Sequence, residues 1–120
     1  MARILVVDDE QDVLELIVKR LRADGHEVVA AGSGASALDA VGRHGQVDAA
    51  ILDVDLPGMD GIELLHRLRQ DRADLPAVFL TVLWDGAVVA RVHEAGALYM
   101  RKPFTTESLR SALDRVLVPG

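Results

Sequence analysis

The sequence contains no cysteine, few aromatic residues and no long hydrophobic run. The lack of cysteine excludes disulfides, thiol nucleophiles and thiolate metal ligands, and it fits a cytoplasmic protein. Aromatic residues make up 3% of the chain, so we expect an aliphatic core. No segment approaches the ~18 apolar residues of a membrane span, and Arg3 leads directly into an apolar run rather than a signal peptide. We therefore expect a cytoplasmic protein without membrane contact.

The charge and length of the chain narrow the function classes further. A net charge of −6 disfavours nucleic-acid binding, because that function needs a basic face or aromatic stacking platforms. The 120 residues have the length of one domain, and no linker, repeat or low-complexity segment divides them. We expect a single domain over residues 1–120, with no second domain in this chain and no direct nucleic-acid binding.

Short apolar runs alternate with segments of helical periodicity along the whole chain. The runs predict five strands, at residues 3–7, 27–31, 49–52, 77–80 and 98–100. A helix is predicted after each strand, and Ser33, Asp60, Asp85 and Thr105 are the expected capping residues of the last four. Asp60 with Glu63 forms the pattern of a capping box. Strands that alternate with helices at this spacing indicate an α/β fold with a parallel sheet covered on both faces.

Polar residues stand at the carboxyl ends of four of the predicted strands. Asp8 and Asp9 follow the first strand, Asp53 the third, Thr81 the fourth, and Lys102 comes shortly after the fifth. In an open parallel sheet these ends share one edge, where ligands bind. Clustered carboxylates raise each other's pKa unless a cation offsets them, and oxygen ligands suit Mg²⁺. A metal, an ammonium group and a hydroxyl around one carboxylate can stabilise a phosphoryl group.

Five short motifs follow one another along the chain: VVDDE (6–10), LDVDLPGMDG (52–61), LT (80–81), EAGA (94–97) and YMRKPF (99–104). In this order they resemble the receiver domains of bacterial two-component response regulators. The resemblance implies a flavodoxin-like three-layer sandwich with five helices and strand order 2-1-3-4-5. It also implies a response regulatory function, with transfer of a phosphoryl group from a sensor histidine kinase or a histidine phosphotransfer protein.

The resemblance assigns a role to each residue of this edge. Asp53 matches the phosphoacceptor, and Mg²⁺, for which Mn²⁺ can substitute, would bind Asp9, Asp53 and the backbone carbonyl of Asp55. Asp8 would act through a metal-bound water. These roles predict an aspartyl phosphate that forms and hydrolyses at this site, without turnover on other substrates.

The remaining family positions concern the response to phosphorylation. Lys102 would pair with the phosphoryl group, aimed by a cis peptide before Pro103. Thr81 and Tyr99 match a switch pair that remodels the face formed by the fourth helix, the fifth strand and the fifth helix. An output domain or effector protein would read this face, and a homodimer through it is an open alternative.

Three features depart from the family pattern. Val82 stands where the family usually has Ala or Gly, and its branched side chain would slow hydrolysis or the reaction with small phosphodonors. The carboxylate of Asp55, two residues after the acceptor, would modulate the attack of water. Trp84 would be exposed as a partner contact.

Other interpretations remain open from the sequence. Taken singly, the acids are more typical of solvated helix caps, Thr81 and Tyr99 of ordinary strand residues, and Lys102 of a surface charge. A pseudo-receiver, which keeps the fold as an interaction module, would not be phosphorylated. A phosphatase of the haloacid-dehalogenase type also uses an Asp-x-Asp sequence such as 53–55, but it needs Thr or Val where Pro57 stands.

Overall fold

A computed structural model of the protein describes residues 2–82 and 86–117, in which helices cover both faces of a parallel sheet. The predicted cap Asp85 and the predicted partner contact Trp84 lie outside these residues. The strands are β1 (Arg3–Val7), β2 (Glu27–Ala31), β3 (Ala49–Asp53), β4 (Ala77–Thr81) and β5 (Leu98–Arg101). The helices are α1 (Gln11–Ala23), α2 (Gly34–His44), α3 (Gly61–Leu68), α4 (Gly86–Glu94) and α5 (Thr106–Leu117).

The strands pair in the order β2-β1-β3-β4-β5, and every pair is parallel. This confirms the flavodoxin-like architecture predicted from the sequence. The predicted ends of three strands were one residue too early. Asp53 pairs with Leu80, and Thr81 with Arg101, so the ladder continues through two of the polar site positions. Asp53 and Thr81 are therefore held by the sheet rather than by the loops that follow it.

Successive residues of each strand pack on opposite faces of the sheet, as strand geometry requires. Ile4 and Val6 belong to the core beneath α1 and α5, whereas Leu5 and Val7 belong to the core beneath the other three helices. All four side chains are fully buried. The core is mainly aliphatic, as predicted, with Phe79 as its large aromatic member. Because both faces are covered, the strand ends are where polar groups meet solvent.

Three of the predicted helix caps are confirmed by hydrogen bonds. The side chain of Ser33 accepts from the backbone of Ser36 at 3.1 Å, and Asp60 Oδ1 accepts from the backbone of Glu63 at 2.8 Å. Thr105 caps α5 in the same way, through Ser108. Such caps satisfy backbone donors that a helix start leaves unpaired. Among the described helices, none is long and apolar enough to cross a membrane.

Candidate active site at the carboxyl edge of the sheet

Three polar side chains are buried at the carboxyl edge of the sheet. Asp8 follows β1, Asp53 ends β3 and Thr81 ends β4, and their exposed fractions are 1%, 4% and 3%. Burying a carboxylate is costly unless a cation or hydrogen-bond donors compensate it. The partners of the two aspartates therefore indicate which kind of ligand the site can bind.

Lys102, directly after β5, brings one ammonium group to this edge. Its Nζ lies 2.9 Å from Asp8 Oδ2, 3.1 Å from Glu10 Oε1 and 3.2 Å from Asp53 Oδ2. The backbone N–H of Lys102 donates to the carbonyl of Thr81, which fixes the start of this segment against β4. The peptide bond between Lys102 and Pro103 is cis, as predicted. One positive charge thus faces three carboxylates.

The other oxygen of Asp53 is held by the loop that follows β3. Asp53 Oδ1 accepts a hydrogen bond from the backbone N–H of Asp55 at 3.1 Å, while the side chain of Asp55 is exposed. The carboxylate is therefore oriented on one side by a backbone amide and on the other by Lys102. Such a fixed carboxylate is suited to nucleophilic attack on an incoming group.

Gly61, the first residue of α3, packs against the backbone that carries Asp53. Its N–H donates to the carbonyl of Val54 at 2.9 Å. A Cβ at this position would stand 2.1 Å from the carbonyl oxygen of Asp53, far inside any contact distance. Only glycine lets α3 begin this close to the strand end. Gly61 was not identified from the sequence, although it directly follows the cap Asp60.

The acidic residues around Lys102 offer a cation site. Carboxylate oxygens of Asp8, Glu10 and Asp53 all lie within 4.8 Å of one another. Asp8 Oδ2 is buried and forms an ion pair with Lys102 Nζ at 2.9 Å. Three carboxylates this close together with one ammonium group among them carry excess negative charge, and their oxygen ligands fit Mg²⁺ or Mn²⁺.

The membership of this group differs from the set predicted from the sequence. Glu10 belongs to it, whereas Asp9 is exposed and is not part of it. Asp8 Oδ1 instead accepts a hydrogen bond from the backbone N–H of Glu10 at 2.9 Å. This contact turns the chain after β1 and brings the Glu10 side chain toward Lys102. The predicted role of Asp9 as a direct metal ligand stays a prediction.

Burial and neighbouring charges shift the pKa values of the central pair. Burial is the largest cause that raises the pKa of Asp53, and the charge of Asp8 adds to it. The N–H of Asp55 and the ammonium of Lys102 lower it, and the net pKa is about 6. Burial alone would lower the pKa of Lys102, but its pairing with Asp8 and Glu10 and the charge of Asp53 raise it above its usual range. Lys102 is consequently a permanent cation, and Asp53 is mainly ionised at neutral pH.

We predict that Asp53 makes the metal-free protein less stable as the pH rises. The folded protein binds the Asp53 proton more tightly than the unfolded chain does. The contribution of Asp53 to the stability of the folded protein is therefore highest while Asp53 is protonated, and it falls as Asp53 ionises between about pH 4 and pH 6. The Asp53→Asn variant should exceed wild type in free energy of unfolding by about 2 kcal/mol above this range, with little difference below it. Urea unfolding with a chelator, across this pH range, measures the difference. A difference independent of pH would contradict the prediction.

The predicted switch and modulating residues Tyr99 and Val82 are more exposed than the buried carboxylates of Asp8 and Asp53. Tyr99 is on β5 in register with Phe79 of β4, two residues before the register position of Thr81, and 40% of the residue is exposed. Val82 directly follows Thr81 and is 64% exposed. Buried Thr81 is thus followed at once by an exposed residue.

Comparisons of the sequence with known proteins show which family it resembles. A family model described as the response regulator receiver domain matches residues 4–114. The chain is 38% identical over 109 residues to the probable transcriptional regulatory protein TcrX of Mycobacterium tuberculosis, covering 88% of this chain and 45% of that protein. It is 31% identical over 116 residues to sporulation initiation phosphotransferase F of Bacillus subtilis, covering 96% of this chain and 93% of that protein.

Solved structures give the same result for the fold. The structure of the chemotaxis protein CheY4 of Vibrio cholerae matches with a TM-score of 0.90 and 31% identity, over 98% of this chain and 99% of that one. The BeF3-activated receiver domain of DrrB matches with a TM-score of 0.86 and 30% identity, over 99% of each chain. The chain spans about half the length of several curated relatives, including TcrX.

Proposed function

The chain belongs to the response regulator receiver domain family, and from this premise we propose that it receives a phosphoryl group on Asp53 in a Mg²⁺-dependent reaction. The carboxylate of Asp53, held between Lys102 and the amide of Asp55, is the observation that supports this most directly. The family consists of phosphoacceptors of two-component systems rather than enzymes that turn over other substrates. The donor is a sensor histidine kinase or a histidine phosphotransfer protein.

In the proposed reaction, a carboxylate oxygen of Asp53 attacks the phosphorus of a phosphohistidine. A phosphorus–oxygen bond forms, the phosphorus–nitrogen bond breaks, and the imidazole leaves with the electron pair and takes up a proton. A bound Mg²⁺ or Mn²⁺ supplies positive charge that offsets the phosphoryl oxygens. Asp9, Asp53 and the backbone carbonyl of Asp55 would hold it, and Asp8 would act through a metal-bound water. Hydrolysis of the resulting aspartyl phosphate resets the protein.

The response to phosphorylation is proposed to run through Thr81 and Tyr99. The hydroxyl of Thr81 moves toward the phosphoryl group, Lys102 pairs with that group, and the ring of Tyr99 turns inward from its exposed position. The face of α4, β5 and α5 then differs between the two states and controls an output domain or effector protein, or a homodimer. The same proposal places the protein in the cytoplasm, without direct nucleic-acid or membrane binding by this domain.

Beryllofluoride, which mimics a phosphoryl group on a carboxylate, tests this function. NMR signals of Thr81 and Tyr99 should shift when beryllofluoride and Mg²⁺ are added together, but not in the Asp53→Asn variant. Unchanged signals in the wild type would favour a pseudo-receiver.

A phosphatase of the haloacid-dehalogenase type would use the carboxyl of Asp55 as a general acid, but Pro57 stands where that family has Thr or Val. Turnover of p-nitrophenyl phosphate decides between the two functions. We expect none with the wild type.

We predict that Val82→Ala shortens the lifetime of the phosphoryl group on Asp53. The branched side chain directly after Thr81 restricts the path of water, so its truncation should speed hydrolysis by roughly threefold to tenfold. Loss of phosphoprotein after removal of the donor measures the rate. Val28→Ala, the same truncation at a partly buried position of the edge strand β2, should leave the rate unchanged. An equal lifetime in the Val82 variant would contradict the prediction.

A further inference from the structure

Glu10 differs from the other two carboxylates that contact Lys102. The side chains of Asp8 and Asp53 are 0% and 6% exposed, whereas that of Glu10 is 60% exposed. Glu10 Oε1 nevertheless accepts a hydrogen bond from Lys102 Nζ at 3.1 Å. Glu10 therefore contacts the ammonium group from the solvent side of the carboxylate cluster.

The charges of Asp8, Glu10, Asp53 and Lys102 indicate when the contact between Glu10 and Lys102 affects ligand binding. Three carboxylates against one ammonium leave a net charge of −2, which attracts a divalent cation. A divalent cation at the carboxylate oxygens would compete with Lys102 for Asp8 and Asp53 and would repel its ammonium group. Glu10 would then be the carboxylate that still holds Lys102, and an incoming phosphoryl group would have to take the ammonium from it.

We propose that Glu10 is a positioning residue that holds Lys102 at the solvent side of the carboxylate cluster and competes with the phosphoryl group for its ammonium. The proposal rests on the phosphoacceptor function given above. The negative charge of Glu10 then raises the affinity of the unphosphorylated site for a divalent cation and lowers its affinity for an anion. Removing this charge should change the two affinities in opposite directions. A residue that only supported the fold would affect both ligands in the same direction.

The variant Glu10→Gln tests the proposal because it keeps the size of the side chain and removes its charge. We expect the dissociation constant for Mg²⁺ to rise by roughly threefold to tenfold. At saturating Mg²⁺, the apparent affinity for beryllofluoride should instead improve by about twofold to fivefold. Calorimetry measures the first quantity, and a beryllofluoride titration followed by NMR measures the second.

The position of Lys102 can be followed directly, because the chain contains two lysines, Lys19 and Lys102. Lysine labelled with carbon-13 at Cε gives one signal for each, and exposed Lys19 serves as the internal reference. In the metal-free protein, Glu10→Gln should shift the Lys102 signal and leave that of Lys19 in place. Glu15→Gln, an exposed carboxylate on α1 that contacts Gln11, is the matched control and should shift neither.

The outcomes separate this proposal from the proposed function. If wild-type protein binds Mg²⁺ and beryllofluoride but Glu10→Gln leaves the Lys102 signal and both affinities unchanged, the role of Glu10 is overturned and the phosphoacceptor function stands. If both affinities fall together, Glu10 is a structural or ligating residue and the competition is likewise refuted. If the wild type binds no beryllofluoride with Mg²⁺, the proposed function itself fails.

Discussion

Replacing Asp53 with Asn is expected to abolish phosphoryl incorporation. The amide keeps the shape of the side chain and can still accept the hydrogen bond from the Asp55 N–H, but it lacks the charged oxygen that attacks phosphorus. Incorporation from phosphoramidate with Mg²⁺, measured by intact-protein mass spectrometry, should fall by more than about 100-fold.

Asp55→Asn is the matched control for this variant. It makes the same chemical change two residues away, on an exposed side chain, and keeps the backbone amide that orients Asp53. We expect it to alter the rate of hydrolysis and to retain incorporation. Equal incorporation by the Asp53 variant and wild type would show that another residue accepts the phosphoryl group.

Among substitutions that add one methyl group at the site, Gly61→Ala should cause the largest loss of stability. Its Cβ would meet the carbonyl oxygen and carbon of Asp53 at 2.1 and 2.9 Å, both on backbone that is fixed by the sheet. Either α3 or the end of β3 must move, at a cost of about 3 kcal/mol or more in the free energy of unfolding. Urea unfolding measures the loss.

Gly42→Ala provides the comparison for Gly61. Gly42 is exposed within α2, and a Cβ there meets nothing within 4 Å. Because alanine is the better helix former, this variant should gain about 0.5–1 kcal/mol. If both variants had similar stability, the close packing of α3 against the Asp53 backbone would be refuted.

The parallel sheet with helices on both faces could be predicted because each strand is an apolar run. The order of the strands came from the resemblance to the receiver family. The exact ends of the strands could not be predicted. Asp53 and Thr81 look like the first polar residues of loops, yet each is paired with a neighbouring strand, and that pairing depends on residues distant in sequence. A local pattern contains no information about how far such a ladder continues.

Some contacts in the site could not be predicted from the local sequence either. Asp8, Asp53, Thr81 and Lys102 were predicted to meet because parallel strands share one edge, and the structure places them there. Glu10 resembles an ordinary acid before a helix, and its contact lies 92 residues away along the chain, on Lys102. The importance of Gly61 depends on one distance to the backbone of Asp53, which no sequence spacing expresses.

The most direct test of the central claim is to locate the phosphoryl group chemically. Wild-type protein is treated with phosphoramidate with and without Mg²⁺, the acyl phosphate is reduced with borohydride, and the modified residue is identified by peptide mass spectrometry. We predict one modified residue, Asp53, and modification only when Mg²⁺ is present. Modification of another residue, or equal modification of Asp53 in the presence of a chelator, would contradict the account.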